Sequence, residues 1–211
     1  MKLQLALDTL TLQQSITLLD QTKEYLNIIE VGTPFIIENG MEPVKEFKKR
    51  YPELEILADC KIMDAGEYEA SSAFKAGADI VTVLGVSNNV TIKGVINAAK
   101  KYGGKVMVDL IEVKDIKERS KELLELGVDY LCVHTAFDIQ SENNNPLDEL
   151  EILTNTIDAK HSAVAGGVKL KTINEIVSMK PEIVVVGGAI CNASNPKEMT
   201  KNIKERMKWV L

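Results

Sequence analysis

Residues 55–66 read Glu-Ile-Leu-Ala-Asp-Cys-Lys-Ile-Met-Asp-Ala-Gly, and the fold can be argued outward from this stretch. The apolar run 55–58 predicts a buried strand, and Gly66 interrupts the chain before a helical pattern begins. Side chains alternate faces along a strand, so we expect Asp59 and Lys61 on one side, about 7 Å apart. An acid and a base would then stand where the strand leaves the core. The alternative is an ion pair with a purely structural role at the end of the strand.

The same unit, an apolar run followed by an amphipathic segment, recurs along the chain. Runs rich in Val, Ile and Leu occur at residues 3–7, 28–31, 55–58, 80–84, 105–110, 130–134, 162–165 and 183–186. Segments 93–102 and 115–126 carry apolar residues at helical spacing. The first six strands begin about 25 residues apart, a period typical of a repeated structural unit. Eight such units in about 200 residues predict an α/β fold, a compact (β/α)8 TIM barrel forming one domain over residues 1–211.

A doubly wound open sheet is the competing α/β fold. That fold usually carries a glycine-rich loop directly after its first strand. Here the first glycine of the chain is Gly32, and the sequence contains no P-loop pattern. The barrel is therefore favoured. Residues 143–146, Asn-Asn-Asn-Pro, predict a surface loop before the next helix.

Composition and charge exclude several classes of function. A net charge of −6 and an aromatic content of 5% leave little to neutralise phosphates or to stack on bases, so we expect no nucleic-acid partner. No apolar run approaches the ~20 residues that span a bilayer, and the early-charged N-terminus is unlike a signal peptide. We therefore expect a cytoplasmic protein with no membrane partner. Cys60, Cys132 and Cys191 are scattered and predict reduced thiols.

Ionisable residues stand at the ends of five of the first six predicted strands. They are Asp8, Glu30, Asp59 with Lys61, Asp109, and His134. In a barrel these carboxyl ends meet at one opening, the mouth, where active sites lie. Unpaired buried charges are costly, so their convergence favours a functional cluster over separately satisfied strand ends. Four carboxylates against one lysine indicate Mg²⁺ or Mn²⁺ rather than zinc, since His161, the other histidine, precedes its strand.

Two glycine pairs follow the last two predicted strands. Gly166 and Gly167 come after the seventh strand, and Gly187 and Gly188 come after the eighth. Loops in these two positions bind a substrate phosphate through backbone N–H groups in many barrels. Either pair alone could be an ordinary tight turn, but together they predict a phosphate site that the backbone can approach closely. The expected substrate is a small phosphorylated molecule.

Four segments carry a resemblance to a known family. They are residues 5–8 (Leu-Ala-Leu-Asp), 29–35 (Ile-Glu-Val-Gly-Thr-Pro-Phe), 57–66 and 134–138 (His-Thr-Ala-Phe-Asp). The Asp-x-Lys-x-x-Asp stretch resembles the orotidine-monophosphate decarboxylase suprafamily, and the His-Thr-x-x-Asp segment is similar to its 3-hexulose-6-phosphate synthase branch. The resemblance covers essentially all eight units. It implies an aldehyde-lyase of the ribulose monophosphate pathway, which condenses formaldehyde reversibly with D-ribulose 5-phosphate through a Mg²⁺-stabilised enediolate.

The resemblance also implies roles for residues at the mouth. Glu30 and Asp59 would hold the metal, which acts as a Lewis acid on the substrate oxygens. Lys61 would sit beside the reacting carbons as a positive charge, kept protonated by flanking aspartates such as Asp59. His134 would carry protons, since a histidine titrates near neutral pH.

Three further aspartates take their expected roles from the same resemblance. Asp64 is similar to an aspartate that reaches the active site of a neighbouring subunit, which implies a homodimer with composite sites. The alternative is a helix-start aspartate favoured by the helix dipole. Asp8 and Asp109 match positions that contact sugar hydroxyls or orient the lysine.

The runner-up activity is that of a sibling branch, 3-keto-L-gulonate-6-phosphate decarboxylase. Its pattern shares the metal and lysine positions but has an arginine three residues after the histidine, where this chain has Phe137. An aromatic ring there removes a donor needed to protonate the decarboxylated intermediate, so the synthase is favoured. Gly188 also replaces an arginine of the decarboxylase pattern, which would leave phosphate binding to backbone N–H groups.

Three other activities fit less well. Orotidine-monophosphate decarboxylase itself needs no metal, which leaves Glu30 without a purpose. A pentose-phosphate 3-epimerase would require several histidine ligands. A non-catalytic sugar-phosphate sensor would keep the pocket and bind its ligand without turnover.

Overall fold

The computed structural model describes residues 1–139 and 146–208. In these residues eight parallel strands pair in chain order, and the last also pairs with the first, so the sheet closes into a barrel. The strands are β1 Lys2–Leu7, β2 Ile28–Val31, β3 Glu55–Ile62, β4 Ile80–Leu84, β5 Lys105–Asp109, β6 Tyr130–His134, β7 Ser162–Ala165 and β8 Ile183–Val186. The predicted (β/α)8 barrel is confirmed.

Helices occupy the connections between the strands. They are α1 Leu12–Thr22, α2 Thr33–Asn39, α3 Glu42–Arg50, α4 Gly66–Lys75, α5 Asn89–Tyr102, α6 Ile116–Leu126, α7 Leu147–Thr156, α8 Ile173–Ser178, α9 Gly188–Cys191 and α10 Pro196–Arg206. Across the described ranges, none of them has the length and apolar character that crossing a membrane requires. Of the loop predicted at 143–146, residues 143–145 lie outside the described residues.

Local chemistry explains where several helices begin and end. Thr11 and Gln14 form a reciprocal capping box at the start of α1, and Asp115 accepts from the Glu118 N–H at the start of α6. Gly127 ends α6 with a φ of 97°, a left-handed conformation that favours glycine. The predicted helical segment 115–126 therefore agrees with α6 to within one residue.

The third strand differs from its prediction in two ways. It does not end with the apolar run at residue 58 but continues to Ile62. It is also irregular: Ala58 pairs with Val81, and the next pair is Ile62 with Val83. Four residues of β3 thus advance against two of β4, and Lys61 takes a φ of 45°. Asp59 and Lys61 share one side as expected, since their side chains contact each other, but a bulge replaces the regular extended strand on which the expected spacing was based.

The inside of the barrel is a small apolar core distinct from the larger core between strands and helices. Its members are Ala6, Ile28, Leu57, Ile80, Met107, Cys132, Ala163, Ala165, Ile183 and Val185. Alternate residues of a strand face opposite sides, so the next inward position is two residues further on. On β2, β3, β5 and β6 those positions are Glu30, Asp59, Asp109 and His134. The inward face is thus apolar in the middle and ionisable at the mouth.

Candidate active site

Lys61 lies between two aspartates at the mouth. Its Nζ is 2.5 Å from Asp59 Oδ2 and 3.1 Å from Asp109 Oδ2. Burial alone would lower the pKa of Lys61, but the charges of Asp59 and Asp109 outweigh it and raise that pKa above its ordinary value. Lys61 is therefore a fixed cation at neutral pH rather than a base.

Asp109 also holds His134. The His134 Nδ1 lies 2.8 Å from Asp109 Oδ2, and Asp109 Oδ1 accepts from the Ile111 N–H at 2.9 Å. Burial would raise the pKa of Asp109, but the hydrogen bond and charge of His134, with the charge of Lys61, lower it below its ordinary value. An ionised carboxylate only accepts, so Nδ1 carries a proton. His134 Nε2 is then the nitrogen that can exchange a proton with a substrate.

The opposite side of the cluster is acidic. Glu30 is buried, and burial together with the charges of Asp59 and Asp8 raises the pKa of Glu30 to about 8. Burial and the charge of Asp59 likewise raise the pKa of Asp8. Gln4 Nε2 donates to Glu30 Oε2 at 2.6 Å, while no group in the described residues bonds to the buried Gln4 Oε1. Mutual repulsion among these carboxylates would be relieved by a cation between them.

The donors on this side are carboxylate oxygens, the kind of ligand that a magnesium-type ion prefers. Within residues 1–139 and 146–208, no group of three or more His, Cys, Asp or Glu is arranged to hold a metal. Mg²⁺ is, however, often held by one or two carboxylates, with waters and substrate oxygens completing its shell. Glu30 and Asp59 supply two such carboxylates. The raised pKa of Glu30 is the observation that favours a positive ion beside it.

Three polar side chains that the sequence analysis did not single out contact these carboxylates. Besides Gln4, Thr82 Oγ1 donates to Asp59 Oδ1 at 2.8 Å, and Thr33 Oγ1 lies 2.9 Å from Asp59 Oδ2. A signal for two of them was present, since Gln4 and Thr82 each interrupt an apolar strand run. Thus β4, the one strand among the first six without an ionisable end, contributes a hydroxyl.

The glycine pairs lie close to this cluster. Gly166 and Gly167 have φ values of 88° and 69°, and a Cβ on Gly166 would lie 2.3 Å from the Thr135 carbonyl oxygen. Glycine is thus required there by the backbone itself. A Cβ on Gly187 would lie 3.8 Å from Asp8 Oδ2. The loop after β8 therefore passes beside the carboxylates, while phosphate binding by either pair stays a prediction.

Asp64 stands apart from the cluster of its own chain. It is exposed, and its Oδ1 accepts from the Ala65 N–H at 2.7 Å. In the described part of the chain it makes no hydrogen bond to Lys61. His161 precedes β7, as expected, and is half-buried, with Nδ1 2.8 Å from the Asp129 carbonyl oxygen. Neither residue joins the mouth of this chain.

Comparisons with known proteins agree on one family. The family model described as "Orotidine 5'-phosphate decarboxylase / HUMPS family" matches residues 1–203. A 3-hexulose-6-phosphate synthase of Bacillus subtilis (strain 168) is 47% identical over 205 residues, which are 97% of this chain and 98% of that protein. One of Staphylococcus haemolyticus (strain JCSC1435) is 43% identical with the same coverage.

Solved structures give the same result. The crystal structure of 3-hexulose-6-phosphate synthase from Salmonella typhimurium superposes with a TM-score of 0.95 at 43% identity, covering 99% of each chain. A KGPDC from Streptococcus mutans superposes with a TM-score of 0.84 at 23% identity, covering 98% of this chain and 97% of that one, and shows the shared fold alone. The resemblance predicted from the motifs, and the expectation of an enzyme, are confirmed.

Proposed function

Because the chain belongs to the orotidine 5'-phosphate decarboxylase / HUMPS family, we propose that it condenses formaldehyde with D-ribulose 5-phosphate, reversibly, to give D-arabino-hex-3-ulose 6-phosphate. Relatives that are 43–47% identical are named 3-hexulose-6-phosphate synthase. The observation that carries the proposal is the run of contacts from Asp59 through Lys61 and Asp109 to His134. It sets a fixed cation beside an oriented proton carrier.

The contacts suit the two demands of an aldol reaction. Removal of a proton next to the ketose carbonyl leaves an enediolate, whose negative charge must be stabilised as it forms. Lys61, held by Asp59 and Asp109 before substrate arrives, supplies positive charge at a fixed place. When the enediolate carbon attacks formaldehyde, a C–C bond forms and the new alkoxide needs a proton. His134, with its ring oriented by Asp109, would take the proton removed from the ketose on Nε2 and return it to the alkoxide.

We propose Mg²⁺, or Mn²⁺ in its place, as the cofactor. Glu30 and Asp59 would hold it, and bound there it supplies Lewis acidity toward substrate oxygens. The support is the raised pKa of Glu30, which reflects its burial first and then repulsion from Asp59 and Asp8. Asp8, beside the same carboxylates, would contact the sugar hydroxyls.

The substrate phosphate is proposed to bind the loops after β7 and β8. Backbone N–H groups of Gly166, Gly167, Gly187 and Gly188 would hold it, since none of these residues has a side chain to obstruct close approach. The proximity of Gly187 to Asp8 supports this, because it sets the phosphate loop next to the proposed hydroxyl contact.

Composite active sites in a homodimer are also part of the proposal. A Cβ on Gly66 would lie 2.1 Å from the Thr91 carbonyl oxygen, so the first turns of α4 and α5 adjoin. Tyr68 and Val90, in those turns, are 80% and 77% exposed. Large apolar side chains left open beside Asp64 fit a surface that a second subunit covers.

The proposed partners are small molecules only, a phosphorylated sugar and formaldehyde, with no nucleic acid or membrane. The net charge of −6 supports this for nucleic acids. We propose the cytoplasm as the site of action, where free thiols such as Cys60 and Cys132 stay reduced.

One assay tests the proposed activity. Purified protein with Mg²⁺ should consume formaldehyde only when ribulose 5-phosphate is present, and hexulose 6-phosphate should accumulate. Faster release of CO₂ from 3-keto-L-gulonate 6-phosphate would replace the synthase with the sibling decarboxylase. Phe137, 86% exposed where that branch has an arginine, favours the first outcome. Ribulose 5-phosphate binding without turnover of either substrate would identify a sensor.

A further inference from the structure

Asp59 and Lys61 lie in the irregular part of β3, where the backbone pairing with β4 is interrupted. Between the pairs Ala58–Val81 and Ile62–Val83 the ladder is interrupted. The Lys61 N–H falls in this gap, and Lys61 is left-handed with a φ of 45°. That conformation is unfavourable for residues other than glycine, so surrounding contacts must hold it.

Thr82 provides those contacts. Its Oγ1 accepts from the Lys61 N–H at 2.9 Å and donates to Asp59 Oδ1 at 2.8 Å. One hydroxyl therefore replaces the missing backbone acceptor and also orients the carboxylate. The other oxygen of Asp59 is then directed at Lys61 Nζ, 2.5 Å away. Thr82 is 3% exposed, so water does not readily take over either bond.

Packing alone does not account for a threonine at this position. The other residues of β4 are Ile80, Val81, Val83 and Leu84. Valine has nearly the same shape as threonine and would fill the site without a buried hydroxyl. What threonine adds to the shape of valine is the hydroxyl, and with it the hydrogen bonds to Lys61 and Asp59.

We propose that Thr82 is a positioning residue, which sets the catalytic geometry of Asp59 and Lys61 through its hydroxyl without touching substrate. The kinetic part of this inference rests on the proposed function, whereas the structural part does not. Loss of a hydrogen bond to a charged group corresponds to a fall of between about tenfold and a hundredfold in kcat.

The test compares three folded variants with the wild type. Thr82→Val should lower kcat by that factor and leave KM for ribulose 5-phosphate within about twofold, since a group acting on the reacting pair affects chemistry more than binding. Thr82→Ser keeps the hydroxyl and should restore kcat to within about threefold. Thr22→Val is the matched control: Thr22 is fully buried in α1, and its hydroxyl donates to the Leu18 carbonyl at 2.9 Å. This control should keep the wild-type kcat.

A second readout needs no substrate. Hydrogen exchange at the Lys61 amide, measured by NMR, should accelerate at least about tenfold in Thr82→Val but not in Thr82→Ser or Thr22→Val. A wild-type kcat in Thr82→Val, or no recovery in Thr82→Ser, overturns the proposal. If Thr82→Val does not fold, Thr82→Ala, which also lacks a hydrogen-bonding side chain, replaces it, and a wild-type kcat there has the same meaning. Should the wild type lack synthase activity while the amide readout behaves as stated, the proposed function fails and the hydrogen-bond role of Thr82 stands.

Discussion

The two ends of the barrel both carry charged clusters, yet they are built in opposite ways. At the amino ends of the strands, Lys2 and Lys105 each place Nζ 2.6 Å from one oxygen of Glu55. Both Nζ atoms also lie 5.9 Å from the centre of the Tyr130 ring. At the mouth, Lys61 is the cation shared by Asp59 and Asp109, with more carboxylates beside it.

The pKa shifts show what this difference means. Burial would raise the pKa of Glu55, but the hydrogen bonds and charges of Lys105 and Lys2 lower it below 4.5. At the mouth, burial and neighbouring carboxylates raise the pKa values of Glu30 and Asp8. Folding therefore favours the charged form of Glu55 and disfavours that of Glu30. The charged cluster at the amino end therefore stabilises the barrel. The carboxylates at the mouth destabilise the folded state when they are ionised, which is typical of a site that binds a ligand or carries out a reaction.

The largest effect should come from removing the cation of the mouth. Lys61→Ala should lower synthase activity by roughly 10²–10³-fold, since it removes a preorganised charge from the reacting centre. Lys105→Ala, the matched lysine at the amino end, should leave activity within about twofold. Steady-state kinetics on proteins shown to be folded by circular dichroism measure both. A Lys61→Ala enzyme with near wild-type turnover would remove the functional distinction between the two ends.

Glu30 gives a sharper form of the comparison, because stability and activity should move in opposite directions. Glu30→Gln should lower activity by at least about a hundredfold, through loss of a metal carboxylate. Without metal it should raise the melting temperature at pH values near 8 and higher, because the neutral amide avoids the burial of a charge and the repulsion from Asp59 and Asp8 that together raise the pKa of Glu30 to about 8.

The sign follows from the direction of the shift. A carboxyl whose folded pKa is raised from 4.5 to about 8 destabilises the folded state progressively as pH rises between those values. Thermal melts in EDTA and Mn²⁺ titration followed by electron paramagnetic resonance test the two parts separately. Unchanged Mn²⁺ affinity in Glu30→Gln would show that Glu30 is no metal ligand, and full wild-type activity in EDTA would remove the metal from the mechanism.

Mixing two inactive variants tests whether the active site of one subunit needs Asp64 of a second subunit. Asp64→Asn and Lys61→Ala should each be inactive alone, and mixing them should restore about a quarter of wild-type activity in randomly exchanged symmetric dimers. Hybrid dimers would contain one intact site, because Asp64 would serve the Lys61 of the other subunit. Native mass spectrometry can verify exchange. No recovery after verified exchange would contradict the composite site.

Asp64 also has a stability control. If it only favours the start of α4, its removal should cost about 0.3–1 kcal/mol and leave turnover intact. Chemical denaturation of Asp64→Asn separates this outcome from the catalytic one.

Sequence was a good guide to the inward face of the barrel and a poor one to its exceptions. The carboxyl ends of the predicted strands indicated that Glu30, Asp109 and His134 share the mouth. In the structure each of them follows an inward apolar residue by two positions. The sequence could not predict the bulge at Lys61, because lysine has no local preference for a left-handed conformation. That conformation depends on contacts with β4, which are not encoded near Lys61.

Gln4 and Thr82 show a related limit. A single polar residue in an apolar run does not reveal which side it faces until the register of the neighbouring strands is known. Once β1 pairs Ala6 with Glu30, Gln4 lies one inward position below the mouth and reaches the Glu30 carboxylate. The role of Gln4 therefore depends on how β1 pairs with β2, and the sequence of β1 alone does not reveal it.

The smallest expected effect is at the amino end, and its sign distinguishes the two ends. Glu55→Gln should reduce stability by about 1 kcal/mol at pH 7, or ~2–4 °C in melting temperature, because two partly exposed lysines lose their partner. Activity should not change. Glu118→Gln, which breaks the exposed pair with Lys121, is the matched control and should not shift the melting temperature measurably.

The pH dependence of this effect follows from the lowered pKa of Glu55. A depressed carboxylate pKa contributes stability that is fully present above the ordinary value of 4.5 and is lost as pH falls through the folded value. The difference in melting temperature between wild type and Glu55→Gln should therefore be constant from neutral pH down to about pH 5 and shrink below it. Glu30→Gln, in EDTA, should show the reverse, with no difference at low pH and an advantage for the variant that grows between about pH 4.5 and pH 8 and then levels off. Melting curves of both variants across this range measure the opposite slopes directly. Parallel slopes would mean that the carboxylates at the two ends feel the same balance of burial and charge, and the assignment of one end to stability and the other to chemistry would be wrong.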